Sequence, residues 1–223
     1  MYVPAHFAEE RIDVLHAAIE RIALGTLVTS GATGLEATHL PFLLDRDRGP
    51  RGTLIGHVAR ANRQWKRAAG EAALVTFLGP DSYVSPSAYP SKVASGGTVV
   101  PTWNYVAVHV TGSVHVVDEP GRLREIVTAL TERHEAIHAE ARGLEPWRVT
   151  DAPDDFVAAR LRAVVGIEIP IDTIEGKWKL SQNRDEADQR GVVADLAGTG
   201  AAGTAVADAM SERLPPPRGT IAR

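Results

Sequence analysis

Val100-Pro101-Thr102-Trp103-Asn104-Tyr105-Val106-Ala107-Val108-His109-Val110-Thr111-Gly112-Ser113-Val114-His115-Val116-Val117 lies in the longest β-rich stretch of the chain, Val99–Val117. From Val106 its valines recur at alternate positions (Val106, Val108, Val110, then Val114 and Val116), the period of a strand with a buried face. On the N-terminal side, shorter β-type runs cover Thr26–Ser30, Leu35–Leu44, Thr53–Ala59 and Ala72–Leu78, with another at Ser82–Ser85, and the first two are joined by a turn at Gly31–Gly34 as in a hairpin. Tyr89–Thr98, with Pro90, Gly96 and Gly97, reads as a flexible loop or lid. On the C-terminal side Val164–Ile174 is a strand, with Gly166 as a bulge and Pro170 arguing for an edge.

Helical spacing is confined to a few segments. Ile12, Leu15, Ile19 and Ile22 define a helix within 8–24 that Gly25 stops. Arg60–Ala69 is a short helix, Pro120 opens a charged one to about Ala141, Asp154–Arg162 is another, and 184–214 is helical in two pieces. About six or seven strands in sequence with few crossover helices imply antiparallel pairing: a mainly β, α+β protein in which a barrel carries peripheral helices. A doubly wound nucleotide fold is excluded, because it needs alternating strands and helices and a glycine fingerprint that this chain lacks. The expected organisation is a single domain over 1–214 and a flexible tail at 215–223.

With 223 residues, 44% of them hydrophobic, the chain can bury a sizeable core. It has no cysteine, which excludes disulfides, thiolate metal sites, cysteine nucleophiles and iron–sulfur clusters. A net charge of −4 gives no general basic surface for a phosphate backbone. No run of about 18 apolar residues and no signal-type N-terminus occur, so the expectation is a cytoplasmic protein without a membrane partner.

Candidate binding chemistry is distributed over four segments. In Gly56–Asn62 a strand runs toward a helix start, with Arg60 as a bidentate donor and Asn62 as a phosphate ligand or helix cap. In Ala37-Thr38-His39-Leu40-Pro41-Phe42, Pro41 cannot donate to a ladder, so the strand lies at an edge or a break and Thr38–Leu40 keep backbone groups free for a flat heterocycle. In an extended Thr102–Tyr105, Trp103 and Tyr105 share one side and Asn104 takes the other. In Gly176–Asn183, Lys177 and Lys179 share a side, followed by Ser181, Gln182 and Asn183. Such aromatic, cationic and amide groups suit a flat, polar, phosphorylated ligand. A different chemistry is offered by His134-Glu135-Ala136-Ile137-His138, an HExxH pattern that on a helix places two histidines one turn apart for zinc. Its surroundings are charged and no third histidine follows; a solvated helix face packed against the loop at Trp147 accounts for it, and a zinc hydrolase remains the outsider, with no metal site expected.

Taken together, MYVPAHF (1–7), GHVARANRQW (56–65), Phe77-Leu78-Gly79-Pro80, Tyr83-Val84-Ser85-Pro86, VPTWNY (100–105), Gly166-Ile167-Glu168-Ile169 and GKWKLSQNR (176–184) resemble the PaiB-type family of FMN-binding regulators nearly end to end. Ala88 and Arg63 depart from the pattern, standing where a Trp and a Pro are expected. The resemblance implies an antiparallel FMN-binding split β-barrel related to pyridoxamine-phosphate oxidases, and a homodimer with FMN at the interface. By that likeness His57, Arg60 and Asn62 hold the phosphate side; Thr38, His39 and Leu40 face the ring; Trp103, Asn104 and Tyr105 line the ring or come from the facing subunit; Lys177, Lys179, Ser181, Gln182 and Asn183 close the pocket. The implied function is flavin redox chemistry or flavin-liganded negative regulation of transcription. The alternative is a repressor that binds DNA or a partner without flavin turnover. The 184–213 segment is a poor surface for DNA: Asp185, Glu186, Asp188, Asp195, Asp208 and Glu212 face only Arg184, Arg190 and Arg213.

Overall fold

The valine run folds as two successive strands, Thr102–Ser113 and His115–Val117, with Val106, Val108 and Val110 fully buried. The computed structural model describes residues 1–31 and 34–215, so Ala32 and Thr33 of the expected turn and the expected tail beyond Pro215 lie outside the described residues. In chain order the elements are β1 (Ala8–Glu9), α1 (Ile12–Ile22), β2 (Leu24–Gly31), β3 (Gly34–Pro41), β4 (Leu43–Asp45), β5 (Thr53–Ala59), α2 (Gln64–Ala68), β6 (Ala72–Val84), α3 (Ser91–Ala94), β7 (Thr102–Ser113), β8 (His115–Val117), α4 (Pro120–Arg142), α5 (Asp154–Leu161), β9 (Val164–Pro170), β10 (Thr173–Lys179), α6 (Glu186–Leu196) and α7 (Ala201–Ser211).

The strands are ordered β1-β10-β7-β6-β2-β3 in one sheet and β4-β5-β9-β8 in the other. The pairings β1–β10, β2–β3, β2–β6, β4–β5, β5–β9 and β8–β9 are all antiparallel. The chain forms two compact units. The first comprises Met1–Glu9, Leu78–Ala107 and Gly176–Arg223; the second comprises Glu10–Phe77 and Val108–Glu175. β6, β7 and β10 each pass from one unit into the other.

In the second unit β2 lies between β3 and the first half of β6. Its core includes Leu15 and Ile19 of α1, Leu27, Phe42, Val75 and Phe77, with Phe42 and Phe77 edge to face at 5.9 Å. Helix α1 ends at Ala23 (φ 57°), two residues before the expected stop. Gly25 lies within β2, where a Cβ would come 2.9 Å from Phe77 and 3.0 Å from Phe42, so its role is close packing and not helix termination. Pro41 ends β3, the chain breaks pairing at Phe42, and β4 continues in the other sheet; β3 is an edge strand, as the proline required.

The second proline behaves differently. β9 lies between β5 and β8, and Pro170 is tolerated because it is the last residue, pairing with Thr53 beyond the β8 register of Glu168 to Gly166. Gly166 is not a bulge: it pairs regularly with His57 and Val117, and a Cβ there would meet Ile126 at 2.9 Å and Val117 at 3.0 Å, so it lets α4 press onto the sheet. The buried Glu168 carboxylate is held by Arg48 and by Arg122, the latter at 2.7 Å.

In the first unit β1 pairs with β10 through Ala8–Lys177 and Glu9–Gly176. Ser82–Ser85 is largely the end of β6 and not a separate strand. The expected lid contains α3, which is anchored: the Ser91 backbone N–H and hydroxyl donate to the buried Asp188 carboxylate of α6 at 3.0 and 2.7 Å. Helix α6 comes close enough that a Cβ on Gly191 would lie 2.2 Å from the Ala88 carbonyl. The two tail helices are present as expected and bury Val192, Leu196, Val206 and Met210.

Candidate functional site

In the second unit the Gly56–Asn62 segment leaves β5 as a turn; the helix begins only at Gln64, so Arg60 and Asn62 precede it. Gly56 allows β5 to pass the end of β3, since a Cβ would meet the Pro41 carbonyl at 2.9 Å and Leu40 at 3.1 Å. Arg60 Nη1 donates to Asp118 Oδ2 at 3.0 Å while Nη2 donates to Oδ1, a two-pronged fork. Its Nε donates to the Arg162 carbonyl at 2.8 Å and Nη2 also to the Val164 carbonyl at 3.0 Å. The mutual hydrogen bonds raise the Arg60 pKa and lower that of Asp118.

This fork forms one wall of a cavity of about 570 Å³. Arg124 and Arg162 also line it, over Pro120, Leu123, Ala158 and Leu161. Arg124 has only a 3.3 Å contact to the exposed Asp154, and the Arg162 side chain has no ion pair among the described residues. The volume falls in the range of ordinary small-molecule sites, about 300–1,000 Å³.

Asn62 points elsewhere. Its Nδ2 donates to the Thr38 hydroxyl at 2.8 Å; that hydroxyl donates to Gln64 Oε1 at 2.5 Å; Gln64 Nε2 donates to the Thr29 hydroxyl at 2.9 Å. The Gln64 backbone N–H returns to Asn62 Oδ1 at 3.1 Å. Thr38 and Asn62, two predicted residues, thus meet directly at the edge strand, and the buried Gln64 binds both of them. His39, on the other side of β3, is exposed and hydrogen bonded to the Thr26 hydroxyl at 2.8 Å; Leu40 is buried. His57 lies away from Arg60, in the wall of a separate cavity of about 190 Å³, and its Nδ1 is buried with no hydrogen-bond partner among the described residues. Burial holds its pKa below the ordinary value.

The first unit gathers a different set. A cavity of about 180 Å³ is lined by Asn104, Lys179, Ser181 and Asn183, four of the predicted residues, together with Phe7, Tyr89, Val100, Thr102 and Arg184. Asn104 is fully buried and hydrogen bonds the Ser181 hydroxyl at 3.0 Å. Lys179 donates to the Thr102 hydroxyl at 2.6 Å and to the Trp103 carbonyl; burial and then the charge of Lys177 lower its pKa. The Tyr89 hydroxyl is buried, with Arg184 beside it, whose guanidinium lies 4.7 Å from the ring centre. Burial raises the Tyr89 pKa, with Arg184 opposing and Asp188 assisting.

Trp103, Tyr105, Lys177 and Gln182 do not line that cavity. Trp103 is exposed and meets Tyr83 edge to face at 6.1 Å. Lys177 donates to the Tyr2 carbonyl at 3.1 Å and lies over the Tyr105 ring at 5.4 Å. Gln182 braces the chain, donating to the Trp178 carbonyl and accepting from the Leu180 N–H.

On α4, Glu135 accepts the Trp147 backbone N–H at 3.1 Å, the packing expected for that pattern, and His138 is exposed. Among the described residues no three His, Cys, Asp or Glu side chains are grouped to hold a metal ion. Among the same residues no helix is long and apolar enough to cross a membrane. Asp118, Gln64, Tyr89 and Arg184 escape sequence reasoning, because only tertiary packing shows which polar side chains are held together.

A model of the family described as "Putative FMN-binding domain" matches residues 1–173. The protease synthase and sporulation protein PAI 2 of Bacillus subtilis is 32% identical over 197 residues, covering 88% of this chain and 89% of its own. An uncharacterised protein of Emericella nidulans is 31% identical over 245 residues, covering 96% and 97%. Among solved structures, the flavocytochrome Anf3 from Azotobacter vinelandii aligns with a TM-score of 0.56 at 15% identity over 85% of this chain and 78% of its own. The FAD and haem binding protein from Mycobacterium smegmatis aligns with a TM-score of 0.53 at 18% identity over 83% and 78%. The fold is the antiparallel split-barrel class with peripheral helices.

Proposed function

We propose, from the premise that this chain belongs to the PaiB-type family of FMN-binding domain proteins, that it binds FMN in its second unit, with Arg60 taking the phosphate and the edge of β3 taking the ring. The observation that supports this reading is the Arg60 fork: it already holds a planar anionic group, Asp118, at the wall of a cavity of ligand size. A phosphate presents oxygens that the same fork accepts. Asp118 is half exposed and can leave the fork for solvent when a phosphate arrives. Arg124 and Arg162 add positive charge to the same cavity. Asn62 and Thr38 lie two residues and one hydrogen bond from Arg60, and β3 offers unpaired backbone groups at Thr38–Leu40.

Bound flavin supplies hydride and single-electron transfer; the protein's part is to hold and orient it and to limit water. In the first unit Asn104, Lys179, Ser181 and Asn183 form a smaller polar cavity of their own, below the usual size of a whole-cofactor site. The functional reading is a flavin-dependent oxidoreductase or a flavin-liganded regulator, acting as a homodimer in the cytoplasm. The regulator reading draws support from the name of the Bacillus subtilis relative, which links that protein to protease synthesis and sporulation. Direct DNA contact is the weaker form of it, given the net charge of −4.

The deciding experiment is the visible absorption spectrum of the protein titrated with FMN and, separately, with riboflavin. A perturbed flavin spectrum, with FMN bound more tightly than riboflavin, supports the proposal; equal affinities would remove the phosphate from it, and no perturbation with either would remove the flavin.

A further inference from the structure

We infer that the cavity of the first unit is a ligand site in its own right, for the carboxylate of a small organic acid, with Lys179 and Arg184 as its cationic wall. Both cations line it, and among the described residues no Asp or Glu does. Neither cation has an ion pair among the same residues. Asp188, whose charge reaches Tyr89, is committed to Ser91. Two positive charges on one wall, with no counter-charge there, select an anion.

Each cation has donors to spare. Lys179, the last residue of β10, gives one N–H to the Thr102 hydroxyl at 2.6 Å and one to the Trp103 carbonyl. An ammonium has three, so one is left. The residue is half-buried, with its Nζ 5.9 Å from the centre of the Phe7 ring. Burial and the neighbouring Lys177 both disfavour its charge, and a bound carboxylate offsets both effects. The half-buried Arg184 lies against the Tyr89 ring, and its fork of five N–H groups meets no carboxylate among the described residues. The rest of the wall narrows the class of anion. Asn104 and Ser181 satisfy each other and are not left wanting a ligand. Phe7 and Tyr89 are buried rings that, with Val100, give the cavity an apolar side. An apolar cavity of about 150 Å³ is enough for one benzene ring. The volume of about 180 Å³ therefore accepts a carboxylate that carries a short hydrocarbon or a single ring.

The test is calorimetric titration of the full-length protein with butyrate, benzoate, inorganic phosphate and butylammonium at constant ionic strength, without FMN and then with it. Butyrate or benzoate should bind saturably, about tenfold more tightly than phosphate or butylammonium, and equally well whether or not FMN is present. Lys179→Met keeps the apolar stem and removes the charge; Arg184→Gln removes the other charge at a side chain that ties no strand to another. Each should weaken carboxylate binding by about tenfold. Thermal unfolding confirms that each variant is folded, and Arg184→Gln carries the test alone if Lys179→Met is not. Carboxylate binding that no folded variant weakens overturns the proposal, as does phosphate or butylammonium binding as tightly as the carboxylates, or no saturation by either carboxylate in the millimolar range. Displacement of the carboxylate by FMN would place flavin in this cavity and overturn a separate site, whereas carboxylate binding by a protein that takes up no FMN would leave this site standing and remove the flavin reading.

Discussion

Asn104 and Ser181 hold each other: the fully buried amide donates to the serine hydroxyl at 3.0 Å, and that hydroxyl donates back to the amide oxygen at 3.2 Å. Ser181 does this from a left-handed backbone conformation, φ 65°. Two opposite effects can therefore be separated at one position. Ser181→Ala loses the hydrogen bonds and keeps the strain; Ser181→Gly loses the same bonds and relieves the strain. The alanine variant should be less stable than the glycine variant by about 1 kcal/mol, measured by urea unfolding, and equal stabilities would deny that the backbone is strained there.

Glu168 should make the protein acid-sensitive. The hydrogen bond from Arg48, and after it the one from Arg122, lower its pKa below the ordinary 4.5, against the opposing effect of burial. A carboxylate depressed in the folded state contributes stability that is present above its unfolded pKa and lost as pH falls through the folded value. Stability should therefore decline below about pH 4.5. Glu168→Gln should flatten that decline and cost about 2 kcal/mol at neutral pH, since it takes the buried carboxylate from Arg48 and leaves Arg122 with Glu125 alone. Parallel acid-unfolding curves for the two proteins would refute the assignment.

Arg60 and Asp118 give a paired prediction with opposite signs. Arg60→Ala should weaken FMN binding by about tenfold and leave riboflavin binding unchanged. Asp118→Asn removes the carboxylate that occupies the fork and should strengthen FMN binding without affecting riboflavin. Fluorescence titration of both flavins measures all four values. Loss of FMN and riboflavin together in Arg60→Ala would show that the fork only ties the turn to the Arg162 and Val164 carbonyls.

Asp188 should govern the exposure of the 89–98 segment. Its carboxylate accepts both hydrogen bonds from Ser91, at the start of α3. Asp188→Ala should speed tryptic cleavage after the exposed Lys92 at a protein concentration and temperature where the remainder stays folded. An unchanged cleavage rate would show that the segment is held by other contacts.

The parts legible in the sequence share a physical cause. β5 is legible residue for residue and α5 to within one residue, and the tail is legible as two helical pieces without bounds: β5 stands out as a short apolar run buried on both faces, and the helices by apolar residues that recur on one buried face. Pro41 was readable because a missing N–H has one consequence at a strand. Pro170 misled for the same reason: a missing N–H is harmless at the last residue of an inner strand, and only the register shows that it is last. The expected single strand over Val164–Ile174 is instead β9, ending at Pro170, and the start of a second strand, β10, which runs on to Lys179; Lys177 and Lys179 mask that strand because they are covered by way of long apolar stems and bonds to carbonyl oxygens far away in sequence. At the site, the segments carrying Asn62 and Thr38 were readable. The partners that decide what each can do, Asp118 for Arg60 and Gln64 for Thr38, belong to no local pattern.

The pairing of β1 with β10 sets an order on biosynthesis. Ala8 and Glu9 are synthesised long before their strand partners Lys177 and Gly176, and Arg213, which binds the Glu9 carboxylate at 2.7 Å, is later still. The second unit is complete in sequence once Glu175 has emerged, whereas the first must wait for its C-terminal helices. A chain arrested or clipped before Gly176 would carry β1 without its strand partner, an edge left open on incomplete copies and covered on finished ones.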